Sequence, residues 1–127
     1  MTDLASVTLE QYSYLGLDTV VVRSQPQPGL SLSYVQQGSD PLANADGGDQ
    51  YTGLDRFGRI IDQNWLETGT GTSVVRLQYG YDRDDNRSYQ QDLVQTSNDE
   101  LYQYDGLNQL IGFGRGTLNS SHTGLTA

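Results

Sequence analysis

Asp82-Arg83-Asp84-Asp85-Asn86 crowds side-chain oxygens into five residues, the density that a calcium loop uses. A calcium loop of the helix–loop–helix type also needs a central glycine and a closing glutamate. Arg87 and Leu93 stand at those positions, so the segment reads as a solvated turn with local backbone bonds and not as a metal site. His122 is the only histidine, and no nucleophile other than ordinary serines lies near it in sequence. A general base needs a positioned partner within hydrogen-bond reach. Asp62 and Glu67 are paired carboxylates, but pairs are frequent in a chain with 16 acids. Gly69-Thr70-Gly71 and Gly112-Phe113-Gly114 lack the strand–glycine–helix setting of a phosphate loop. Trp65, with Tyr79 and Tyr81, is the candidate stacking platform for a glycan. The plainer use of these rings is packing on a sheet face. No catalytic residue, cofactor-binding residue or metal ligand is expected, and the chain does not read as an enzyme.

These residues sit among short alternating runs. Residues 6–15 alternate, then Gly16-Leu17-Asp18 turns and Thr19 to Val22 resumes with branched residues. Gln25 to Gly29 breaks the pattern, and Leu30 to Val35 alternates again. Residues 36–50 are the longest polar stretch and read as an irregular loop. Strands are expected over 58–67, 73–81 and 87–94, with turns at 68–72, 82–86 and 96–99. Glu100 to Tyr104 and Gln109 to Phe113 form a last hairpin closed by residues 105–108. No convincing helix is present. Turn signals at intervals of about 8–12 residues between such runs indicate an all-β hairpin array.

Composition narrows the function classes. The net charge of −9, from 16 acids and seven arginines, repels phosphate backbones, so nucleic acid is not an expected partner. Thirteen of the acids are Asp, a turn former. There is no Cys, hence no disulfide framework, thiolate zinc site or thiol nucleophile. No run approaches the roughly 20 apolar residues of a membrane span. The start, MTDLASVTLEQY, has neither a basic region nor an apolar run, so no secretory signal is expected in it.

The strongest pattern is a phrase that recurs: a Tyr or a Tyr-x-Tyr, a short Gly/Asp/Asn turn, then branched or aromatic residues. Its copies are residues 102–113, 79–89, 51–61 and 12–22. A recurring unit that cannot bury its own apolar face stacks on its neighbours. The phrase resembles the YD repeat of the Rhs protein family. Residues 102–113 match it through Tyr102, Tyr104, Asp105, Asn108 and Leu110, and residues 79–87 through Tyr79, Tyr81, Asp82, Asp85, Asn86 and Arg87. Residues 51–60 keep Tyr51, Gly58, Arg59 and Ile60 around extra residues, and residues 12–20 keep Tyr12, Tyr14, Leu17 and Val20 with Leu15 at the aspartate position.

The resemblance implies β-hairpins joined edge to edge into a twisted, curved strip, and a structural role in the shell or scaffold of a large secreted or cell-surface polymorphic-toxin-type protein. The partners it implies are neighbouring repeats of a parent chain, or self-association through edge strands. The Asp-Pro-x-Gly signature of the family's core region is missing, since Asp40-Pro41 runs into Leu42-Ala43. Self-cleavage is therefore not expected. Residues 1–116 are read as one domain with the loop at 36–50, and residues 117–127 as a flexible tail. The alternative is a carbohydrate- or protein-binding module that uses the Tyr and Trp faces of the sheet.

Overall fold

A computed structural model of the chain describes residues 7–15, 19–34 and 53–126. The chain is all-β. Among the described residues, nine strands form one open antiparallel sheet in which spatial order follows chain order, β1 to β9. Among the described residues there is no α-helix, and a 3-10 turn at Thr96–Asn98 is the sole helical element. None is long and apolar enough to cross a membrane. The loop expected at 36–50, and Tyr51, lie outside the described residues. Contacts divide the chain into two compact units at Arg76/Leu77, and each is described by itself.

In the N-terminal unit, β1 (Gln11–Leu15) pairs with β2 (Thr19–Gln25), β2 with β3 (Leu30–Ser33) and β3 with β4 (Asp62–Glu67). Val21, Leu32, Leu54, Ile61 and Leu66 are its buried apolar side chains. Gly53 stitches the interior together: its N–H donates to Tyr34 O at 2.9 Å, and its carbonyl accepts from Ile61 N at 2.9 Å and Asp62 N at 3.2 Å. A Cβ there would stand 2.4 Å from Tyr34 O, so only glycine permits this approach. The expected strand at 58–67 starts later, at Asp62, because residues 55–59 are a tight turn bracketed by an isolated bridge between Leu54 and Ile60.

β5 (Thr72–Tyr81) continues into the C-terminal unit. There it pairs with β6 (Arg87–Asp92), β6 with β7 (Asp99–Tyr104), β7 with β8 (Leu110–Leu118) and β8 with β9 (Leu125–Thr126). Residues 117–126, expected as a tail, are built as the end of β8, a turn and β9. Their anchorage is concrete. His122 stacks on Tyr89 with ring centroids 4.2 Å apart, and its Nε2 lies 3.1 Å from Gln91 Oε1. Leu125 packs over Gly114 and Gly116, whose missing side chains make the room.

Asp99, 0% exposed, ties three strands of this unit together. Its Oδ1 accepts from Asp92 N at 2.8 Å and its Oδ2 from Leu118 N at 2.9 Å. A buried carboxylate is tolerated because both oxygens are satisfied by backbone donors.

Candidate functional site

Three turns share one set of bonds. In residues 55–59, 82–86 and 105–109 the first N–H donates to the carbonyl four residues on: Asp55 to Arg59 at 2.9 Å, Asp82 to Asn86 at 2.9 Å, Asp105 to Gln109 at 3.0 Å. The leading Asp Oδ1 accepts two further backbone N–H groups at 2.9 Å each, from Phe57 and Arg59, from Asp84 and Asn86, and from Leu107 and Gln109. The fourth residue takes the left-handed conformation, with φ of 77° at Gly58, 64° at Asp85 and 61° at Asn108. Gly, Asp and Asn are the residue types that tolerate it. This is a type I turn closed by a left-handed bulge residue, a common hairpin connection.

Two of these turns, 82–86 and 105–109, close hairpins that share a register with the β1–β2 pair. Tyr14 pairs with Val20, Tyr81 with Arg87 and Tyr104 with Leu110, each across five residues. One step back in every case the return strand carries an unmatched residue: Val21, Ser88 or Ile111. Such a bulge increases the local twist. The second tyrosine of each Tyr-x-Tyr phrase thus marks the same place in three hairpins.

The sequence reading missed the aspartate of the 55–59 turn. That copy was read from Tyr51, Gly58, Arg59 and Ile60, whereas Asp55-x-x-Gly58-Arg59 is the part that matches Asp105-x-x-Asn108-Gln109. Asp55 is held below the ordinary carboxylate range: burial acts to raise it, and bonds from the Arg59 N–H and guanidinium and the Phe57 N–H outweigh burial.

A second arrangement also escaped the sequence reading. Glu10-x-Tyr12 and Glu100-x-Tyr102 each form a clamp with an arginine on the next strand. Tyr12 Oη donates to Glu10 Oε2 at 2.6 Å, while Arg23, directly opposite Tyr12, donates to Glu10 Oε1. Tyr102 Oη donates to Glu100 Oε2, and Arg115, directly opposite Glu100, donates to Oε1 at 2.6 Å. Both glutamates are lowered, chiefly by the tyrosine hydroxyl. Tyr102 is raised to about 12, by burial first and then by its bond to Glu100. The signal was legible in principle, since Glu-x-Tyr-x-Tyr stands at 10–14 and again at 100–104.

The remaining candidates scatter into structural roles. Tyr79 is buried at 7% exposure, and the Arg87 guanidinium carbon lies 4.1 Å from its ring centroid, so it presents no open stacking face. Tyr81 and Trp65 are half-buried. Tyr104 Oη donates to Arg87 O at 2.9 Å. Asn86 Nδ2 bonds Asp82 Oδ2 and Asn108 Oδ1, both at 3.0 Å, and so links two turns. Asp62 and Glu67 do not meet as an acid–base pair. Buried Asp62 takes a bidentate bond from Arg76, at 3.0 and 2.7 Å, and exposed Glu67 accepts from Thr70 Oγ1. No group of three or more His, Cys, Asp or Glu among the described residues is arranged to hold a metal ion. No family model, curated protein or solved structure matches the chain.

Proposed function

We propose that this chain is a structural segment of a YD/Rhs-type hairpin strip, part of the shell or scaffold of a larger secreted or cell-surface protein, and that it carries out no chemistry of its own. The observation that carries this reading is the shared register of the three Tyr-x-Tyr hairpins: the second tyrosine pairs with the residue six positions on, and the same bulge lies opposite it. A unit defined this way is modular. Each hairpin presents its neighbour with the edge on which the next one pairs, and each leading Asp satisfies backbone N–H groups of its own turn. In such an array the strip twists and curves through the bulges, and stability accumulates from unit to unit.

Modularity supplies the test. Asp82 and Asp105 open equivalent turns, so residues 82–104 are one complete interval. A second copy of 82–104, inserted between Tyr104 and Asp105, adds one hairpin in register. The expected product is folded, with a larger strand signal in circular dichroism and a steeper urea dependence, because more surface is buried. An insert that is looped out, with the slope unchanged, or that unfolds the chain, refutes the strip reading.

A further inference from the structure

We propose that the outer edge of β8, residues 110–116, is a docking site for a second copy of this chain, paired antiparallel with the same strand about a two-fold axis at Phe113. The inference rests on the association part of the scaffold reading and names the edge and the partner.

The edge is open. β9 pairs only with Thr117 and Leu118, and no strand among the described residues pairs with the outer side of 110–116. Backbone direction follows from two bonds. The Leu118 N–H points inward to Asp99 Oδ2, and the Asn119 N–H points outward to Gly124 O. Alternation along a strand then turns Thr117, Arg115 and Phe113 outward. The side chains agree. Phe113 meets Tyr102 with centroids 5.7 Å apart and Arg115 meets Glu100, the close cross-strand contacts of pairs whose N–H and C=O groups face away from each other. Phe113 and Arg115 therefore offer unpaired donors and acceptors to a further strand. Phe113 is 59% exposed and Ile111 67%, so apolar side chains line the same edge. Long edges of this kind recruit strands.

Charge selects the partner. All 16 acids lie at or before Asp105, and residues 106–127 carry only Arg115 and His122 as ionisable side chains. The acids are spread over the rest of the chain. β1, first in the strand order, lies in sequence between Glu10 and Asp18. β8 itself brings no carboxylate to a contact between two copies. With Phe113 on the axis, Arg115 of one copy stands opposite Ile111 of the other, so the two arginines are held apart. A two-fold contact of this kind is closed and stops at the dimer.

The experiment is sedimentation equilibrium of the whole chain, at low and high salt, beside Phe113→Lys and Ile111→Lys. Phe113→Lys sets like charges face to face on the axis. Ile111→Lys alters an exposed bulge side chain and leaves the Tyr102 contact intact, and circular dichroism checks that each variant is folded. Wild type is expected to reach twice the chain mass at high micromolar concentration, more readily in salt, which screens the repulsion of the acidic remainder. Both variants are expected to dimerise at least roughly tenfold more weakly. A wild type that stays monomeric at high concentration and high salt, dimers that survive both substitutions, or a ladder of species beyond the dimer would each overturn the proposal. None of these outcomes bears on the duplication test, so the dimer and the strip fail separately.

Discussion

Asp55, Asp82 and Asp105 hold their turns by the same two bonds to backbone N–H groups, so each is worth about what a helix-capping aspartate is worth. Asp105→Ala is expected to cost about 1–2 kcal/mol, seen as a lower urea midpoint at unchanged slope. Asp105→Asn keeps an acceptor oxygen and should lose less than half of that. Asp99 is a different case, because water cannot replace it. Asp99→Ala strands the buried Leu118 N–H and takes the acceptor from the half-buried Asp92 N–H, at an expected cost of about 2–4 kcal/mol. Asp99→Asn recovers little, since its amide nitrogen must face one of the two donors. Equal costs for Asp99→Ala and Asp105→Ala would show that burial is not what separates them.

Among the elements, hairpins formed by local chemistry were legible in the sequence and those formed by long-range packing were not. Asp82 to Asn86 and Asp105 to Asn108 announce turns through residue types that accept local bonds and tolerate positive φ, and the structure places turns there between antiparallel strands. β9 gave no such signal. Its residues look like a polar tail until Tyr89, Gln91 and the glycines of β8 are brought beneath them by the fold. Arg76 gave no signal either: it is buried against Asp62, fourteen residues away. The Asp55 turn was hidden because Leu54 occupies the place of the tyrosine. Glycines differ for the same physical reason. A Cβ on Gly80 would lie 2.1 Å from the Tyr89 ring, whereas one on Gly106 meets nothing within 4 Å. Gly80→Ala is expected to cost about 1–3 kcal/mol and to shift the His122 ring resonances as Tyr89 swings away. Gly106→Ala should stay within about 0.5 kcal/mol of wild type. A His122 spectrum unmoved by Gly80→Ala would mean that Tyr89 has another way to yield.

For the molecule as a whole, the carboxylate clamps set the pH range of stability. The pKa values of Glu10, Glu100 and Asp55 are lowered by folding. Their contribution is complete above the unfolded values of 4.5 for Glu and 3.8 for Asp, and it fades as pH falls through the folded values. Tyr102 has the opposite sense. Raised by folding from 10.0 to about 12, it contributes fully below pH 10 and is lost as pH climbs toward 12. Urea midpoints measured across pH should therefore fall at both ends, and Tyr102→Phe should blunt the alkaline fall. An alkaline limb unchanged in that variant would place the cause in other tyrosines.

Trp65 is the sole tryptophan of the chain and belongs to β4, within the N-terminal unit. The C-terminal unit has no indole and emits only through its tyrosines. The molecule is in effect labelled in one unit by its own composition. Fluorescence excited at the red edge of the spectrum hears only the first unit, while backbone ellipticity hears both. If β5 welds the units into one cooperative body, the two signals melt along one curve. If β5 is merely a shared strand, the indole reports its transition and the ellipticity continues to change after the indole has fallen silent.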